Sequence, residues 1–206
     1  MEAYKERKTE IANRIKEFQE TLNQSDERIF AELCFCICTP QTKATLCWEA
    51  VSALMENGLL YAGTREQMVP FLKKVRFYNN KAEYILEARK LFTKDGKLQI
   101  KKVIRSFDNV SCLRDWLKGE VKGMGMKEAS HFLRNIGLGK DTAILDRHIL
   151  KNLKKFGVIE EIPKNLLKEA YDEIESKMRA FSKRIGIPLD ELDLLLWSME
   201  TGIVFK

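Results

Sequence analysis

Leu117-Lys118-Gly119-Glu120-Val121-Lys122-Gly123-Met124-Gly125-Met126-Lys127-Glu128-Ala129 decides the fold. Gly123 and Gly125 flank one apolar residue, and their freedom to adopt positive φ lets the chain turn sharply between two segments of helical pattern. The second helix is expected from Met126 to Ile136, with Gly137 as its stop. Such a turn exposes backbone N–H groups beside a helix N-terminus, where the positive end of the dipole favours a phosphate oxygen. Without side chains, Gly123 and Gly125 let a DNA backbone come close. The segment alone says that the chain binds DNA backbone; a plain turn between two structural helices has the same sequence.

The 206 residues leave room for one domain or two small lobes. Gly and Pro together number only 15, so there are few places for sheet turns. Ile11, Ile15, Phe18 and Leu22 line one face of an N-terminal helix that ends near Asn23. A second helix runs from after Ser25 to before Pro40, and Thr42 is expected to cap a third that reaches Gly58. Thr64 and Gln67 form a capping-box pair, and Asn79/Asn80 precede a helix ending at Phe92, before an Asp95-Gly96 turn. Shorter helices are expected over 100–106 and 112–118, then helices from Asp146 to Gly157, Pro163 to Gly186 and Pro188 to Gly202. No period-2 strand pattern or fixed repeat is visible, so the fold class is all-α.

Net charge is +6 and unevenly spread. Residues 71–105 hold 11 Lys/Arg against 3 Asp/Glu, and residues 118–155 hold 9 against 4, which leaves the remainder acidic. Two basic stretches of this kind fit a phosphate-binding face, with Lys73, Lys74 and Lys81 on it, although charge clusters on folded surfaces are commonly just solvated. No apolar run approaches the roughly 18 residues that span a bilayer, and the charged N-terminus lacks a signal-peptide core. No membrane association is therefore expected. Five cysteines, an odd number in mostly apolar surroundings, are expected to be free thiols in a reducing, intracellular compartment.

Lys127 falls in the first turn of the helix after the hairpin, where the dipole disfavours its charge and a dry cleft would favour the neutral, nucleophilic amine. Nineteen residues on, Asp146 lies in Thr142-Ala143-Ile144-Leu145-Asp146-Arg147-His148-Ile149-Leu150. An aspartate there is also an everyday N-cap. With both in place the sequence resembles the helix-hairpin-helix glycosylase superfamily, base-excision enzymes that include endonuclease III. In that family the lysine after the Gly-x-Gly hairpin attacks the sugar and an aspartate in an apolar-Asp-x-His segment assists. Lys127 and Asp146-Arg147-His148 match those positions. Phe30 to Ala44, with Pro40-Gln41-Thr42-Lys43, resembles the family's helix and DNA-probing loop, and Phe77-Tyr78-Asn79-Asn80-Lys81-Ala82 its Tyr-Asn-x-Lys-Ala segment.

Lys122 replaces the family's usual proline before the hairpin, and the loop Gly137 to Asp141 has no proline. All five cysteines precede Lys127, so the C-terminal iron–sulfur cluster of the endonuclease III branch is not expected. Leu189-Asp190-Glu191-Leu192-Asp193-Leu194-Leu195-Leu196-Trp197, with Gly202-Ile203-Val204-Phe205-Lys206 at the end, resembles the small type-2 8-oxoguanine DNA glycosylase/AP lyases of archaea and some bacteria. In that branch the terminal residue helps tell 8-oxoguanine from guanine, which points to Lys206. Trp197, a core residue by its spacing, is also a ring on which a flipped base can stack, and Asp193 is the next residue to test for discrimination.

The resemblance implies two helical lobes with the active site in the cleft between them. One lobe covers approximately 27–136 including the hairpin 112–136, the other approximately 1–26 plus 140–206. It implies excision of 8-oxoguanine through a Lys127 Schiff base, with Asp146 balancing charge on the sugar, and strand nicking by β-elimination. Gln41 and its neighbours fill the gap left by the extruded nucleotide, and Gly123, Gly125 and His148 contact DNA. His148 reads as a structural hydrogen-bonder rather than a catalyst. The expected partner is double-stranded DNA containing 8-oxoguanine or abasic sites, met by a monomer in the cytoplasm or nucleoid, with no metal and no organic cofactor. Cys34, Cys36 and Cys38 at i, i+2, i+4 place only two thiols on one helix face, which argues against a metal there. Two other readings stay open: a glycosylase/lyase for oxidised pyrimidines, and a non-catalytic helix-hairpin-helix module that only binds DNA.

Overall fold

A computed structural model describes residues 2–206. In chain order the helices are α1 (Glu2–Thr21), α2 (Asp26–Cys38), α3 (Ala44–Glu56), α4 (Leu59–Ala62), α5 (Arg65–Leu72) and α6 (Tyr78–Phe92). The strands β1 (Thr93–Lys94) and β2 (Lys97–Leu98) follow, then α7 (Ile100–Ile104), α8 (Val110–Glu120), α9 (Met126–Asn135), α10 (Arg147–Lys155), α11 (Lys168–Ile185) and α12 (Leu189–Thr201). The chain divides into two compact units, one being Thr21–Phe132 and the other Leu133–Lys206 with the chain through Glu20.

In the unit Thr21–Phe132, α2 is the central helix. Every residue from Ile29 to Cys38 is buried, as a helix apolar on all sides must be, and it packs on α3, α6 and α7. Ser25 caps it by accepting from the Arg28 amide at 3.2 Å. The Thr64–Gln67 capping box forms in both directions, at 2.8 and 3.4 Å. Thr42, expected to cap α3, does not: the helix starts after Lys43 without a side-chain cap, and the Thr42 hydroxyl accepts from the Arg76 amide instead. Asn79 and Asn80 are not the cap of α6 either; they lie inside it, and Phe77 precedes it. β1 and β2 pair antiparallel around Asp95 and Gly96, whose φ values of 52° and 73° fit a two-residue primed turn. Two residues per strand are too few to show alternation in sequence.

In the other unit, α12 packs against α10 and α11. Tyr4 of α1 donates to Glu191 of α12 at 2.6 Å. Gly137, at φ 79°, lets the chain pass α1 closely, since a Cβ there would lie 2.6 Å from the Gln19 Cα. The helix expected from Pro163 begins only at Lys168. A fixed proline φ suits an extended approach as well as a first helical turn, so Pro163 does not determine the start.

Candidate active site

The hairpin forms where the glycines require it. Met124 donates to the Val121 carbonyl at 3.1 Å, and Gly123, exposed at φ 85°, rounds the turn. A Cβ on Gly123 would lie 2.4 Å from the Tyr84 ring. Of the backbone N–H groups expected to be exposed at this turn, that of Gly125 is taken, donating to Glu128 Oε2 at 3.0 Å. Gly123→Ala combines this clash with a left-handed backbone, so we expect a loss of about 1–3 kcal/mol in denaturant-induced unfolding, with weaker binding to duplex DNA. Wild-type stability in that variant would mean the turn is not built this way.

Lys127 is the second residue of α9, and its side chain remains 26 % exposed. Its Nζ lies 3.0 Å from Glu128 Oε1, so a single carboxylate braces the hairpin amide and holds the lysine. Beside it is a residue whose role the sequence does not reveal. Lys81, assigned by charge to the basic face, is only 4 % exposed. Its Nζ donates to the Cys38 carbonyl at 2.9 Å and to that of Pro40 at 3.4 Å, satisfying the C-terminal end of α2. Burial pushes the Lys81 ammonium below its ordinary range and the nearby Lys127 charge adds to this, while Cys38, Cys47 and Glu128 oppose it.

The Lys81 bonds hold the start of the loop that carries Gln41. Gln41 is exposed at φ 60°, and Thr42, next to it, is tied to Arg76 at 3.0 Å. Phe77 follows at φ 57° and 53 % exposure, with the Arg76 guanidinium 5.0 Å from its ring centre. Left-handed geometry costs a bulky residue about 1–3 kcal/mol and clusters at functional positions. Two such residues on loops joined by a hydrogen bond make Phe77 a site candidate that sequence reasoning misses. Nothing in its residue type signals positive φ.

In the other unit, Asp146 serves as the N-cap of α10. Its Oδ1 accepts from the His148 and Ile149 amides at 2.8 and 2.9 Å, and its Oδ2 has no hydrogen-bond partner among the described residues. His148 is half-buried, its Nε2 accepting from Arg147 Nε at 3.3 Å. Asp193 is buried, with Oδ2 on Arg134 at 2.6 Å and Oδ1 on the Ile144 amide at 3.2 Å. Burial lifts its carboxyl to about 6, with the Asp146 charge adding to the rise and Arg134 opposing it. Trp197 is half-buried on α12. Lys206 is 8 % exposed and Val204 5 %, so this tail is packed rather than frayed.

The structure thus groups Lys127 with Glu128, Lys81 and Cys47 in one unit, and Asp146 with Asp193 and His148 in the other. Cys34, Cys36 and Cys38 are buried and outside any disulfide, and among the described residues no group of three or more His, Cys, Asp or Glu side chains is placed to hold a metal. Among the same residues no helix is long and apolar enough to cross a membrane.

The family model for 8-oxoguanine DNA glycosylase with a helix-hairpin-helix matches residues 11–187. The chain belongs to this family. An 8-oxoguanine DNA glycosylase/AP lyase of Fusobacterium nucleatum is 47 % identical over 204 residues, covering 98 % of this chain and 94 % of its own. One of Methanocaldococcus jannaschii is 41 % identical over 198 residues, 95 % of this chain and 91 % of its own. The crystal structure of the M. jannaschii 8-oxoguanine glycosylase/lyase in complex with a 15mer DNA containing 8-oxoguanine superposes with a TM-score of 0.89 at 38 % identity, covering 100 % of this chain and 98 % of that one. The family's helix-hairpin-helix glycosylase architecture is therefore that of this chain, all-α but for its short hairpin. The family match ends before α12, so Asp193, Trp197 and Lys206 lie beyond it, while the M. jannaschii structure spans them.

Proposed function

We propose that this 8-oxoguanine DNA glycosylase family member excises 8-oxoguanine from duplex DNA and nicks the abasic strand, with Lys127 as nucleophile. The observation that carries the residue assignment is the half-open Lys127 amine, set directly after the hairpin with a carboxylate 3.0 Å away to take its proton. A base inside a duplex cannot be attacked at its sugar, so the nucleotide must be extruded at a cost of a few kcal/mol. Gln41 and Phe77, exposed and preset by their backbones, fill the space it leaves. Gly123 and His148 meet the DNA backbone, and Gly125, its amide held by Glu128, lets the backbone come close by lacking a side chain.

Loss of the base builds positive charge on the sugar, and Asp146 balances it through Oδ2 while Oδ1 stays on the helix amides. Lys127 Nζ bonds to C1′ as the base departs with the electron pair of the glycosidic bond. Glu128 takes the protons the amine gives up and relays one to the departing base and, as the ring opens, another to O4′. Opening of the sugar ring leaves an iminium at C1′, which acidifies the C2′ hydrogens. Loss of one of them expels the 3′ phosphate, and water then frees Lys127. Trp197 stacks on the extruded base and Lys206 reads it. Both oxygens of Asp193 are engaged, so it contributes to discrimination through the Ile144 segment it holds. The enzyme acts as a monomer where the DNA is, in the cytoplasm or nucleoid.

Single-turnover excision on duplexes carrying 8-oxoguanine, thymine glycol or uracil tests the substrate. Release of 8-oxoguanine alone is expected, and faster release of thymine glycol would favour an enzyme for oxidised pyrimidines. Asp146→Asn tests the charge. Asparagine caps a helix as well as aspartate, so stability holds while excision falls about 10²–10³-fold. A variant that melts early and loses activity only in proportion would leave Asp146 as a cap alone.

A further inference from the structure

We propose that Tyr171 and Glu175 are positioning residues that aim the Asp146 carboxylate, a deepening of the proposed function that rests on Asp146 acting in base release. They sit one turn apart on α11 and share a face, with both side chains buried. Ahead of Asp146 the chain runs through Ala143, Ile144 and Leu145, all buried and outside any helix or strand. Three successive buried amides there need acceptors. Glu175 Oε1 takes the Ala143 amide at 2.7 Å, Asp193 Oδ1 the Ile144 amide at 3.2 Å, and the Tyr171 hydroxyl the Leu145 amide at 3.3 Å. The Tyr171 hydroxyl in turn donates to the Ala143 carbonyl at 2.6 Å.

This cradle ends in a tight three-residue turn, where Asp146 N–H donates to the Ile144 carbonyl at 2.7 Å. The turn delivers Asp146 to its cap, and its angle sets where Oδ2 points. Two carboxylates buried in an apolar unit are an expensive way to satisfy amides. Each needs its own cation: Arg134 for Asp193, and Arg179, which also donates to the Asp141 carbonyl at 2.7 Å, for Glu175. What this arrangement supplies is a backbone fixed at three consecutive positions by two helices. A displacement of about 1 Å in a group that balances transition-state charge costs on the order of 10²-fold in rate.

The test is a double-mutant cycle on single-turnover excision of 8-oxoguanine, with borohydride trapping on a preformed abasic duplex as the second readout. Tyr171→Phe keeps the ring in place and removes only the hydroxyl. It should slow excision about tenfold in the wild-type background and less than about twofold in Asp146→Asn, because the two act through one group. Trapping on the abasic duplex, where no base remains to leave, should be unchanged. Glu175→Gln retains an acceptor for Ala143 and should stay within about threefold of wild type, whereas Glu175→Leu should match or exceed the loss in Tyr171→Phe. Equal losses in both backgrounds, or trapping that falls in step with excision, would make Tyr171 and Glu175 purely structural and overturn the proposal. Wild-type excision by Asp146→Asn would instead overturn the role of Asp146, and the cradle's with it; the first result leaves that role standing.

Discussion

Lys127→Gln should release no 8-oxoguanine and nick no strand, yet bind damaged duplex within about tenfold of wild type. In the proposed mechanism both activities fail together, because one amine forms the covalent bond that each of them passes through. Affinity survives because it resides in the hairpin backbone and in exposed basic side chains, none of which the change touches. The local structure also survives. Glu128 keeps its 3.0 Å bond to the Gly125 amide, and a glutamine at 127 still has N–H groups to offer the other Glu128 oxygen. The measurement is borohydride trapping beside a binding titration. A covalent adduct with the glutamine variant would remove Lys127 from the mechanism, and a binding loss of a hundredfold or more would place it in DNA affinity instead. A non-catalytic DNA-binding module forms no adduct even with Lys127 present.

The parts of this site legible in sequence are those whose signal is local. Ser25 and Pro40 bracket α2, Thr64 and Gln67 mark α5, and Asp146 caps α10, because caps act within one helical turn. The hairpin at Gly123 and the helix start just before Lys127 are legible the same way, by the turn the two glycines make. What local pattern misses is decided at a distance. The Thr42 hydroxyl has the chemistry of a cap, but an amide 34 positions away claims it. Lys81 reads as surface charge because charge counts ignore burial, and two carbonyls at the end of another helix hold it inside. Tyr171 and Glu175 give no signal at all, since the amides and carbonyl they satisfy lie 26 to 32 residues earlier. Motif spacing picks out candidate reacting groups; contacts between residues far apart in sequence come only from the fold.

Deleting Lys206 should reduce preference for 8-oxoguanine over guanine by about 10²-fold or more, while lyase activity on a preformed abasic site stays within about threefold. Guanine presents N7 as an acceptor in the major groove, whereas the oxidised base carries a hydrogen on that nitrogen. A reader of the lesion must therefore bring an acceptor to it. The lysine side chain only donates, so in the proposed reading the acceptor that Lys206 brings is a main-chain oxygen. The packing of the tail suits such a reader, because Val204 and Lys206 are buried at 5 % and 8 % exposure while Ile203, between α12 and Val204, is 45 % exposed. Guanine would leave the same oxygen facing a lone pair, and a buried polar group left unpaired is what makes rejection strong. Deleting Lys206 removes that main-chain oxygen, and the residue before it lies about 3.5 Å away, outside hydrogen-bond reach. Lys206→Ala separates main chain from side chain, because it keeps the oxygen and should keep the preference. Equal loss in the alanine variant would assign the reading to the ammonium, and an unchanged preference after deletion would move it to Trp197, whose ring has a π-face for either base and must then discriminate through its N–H.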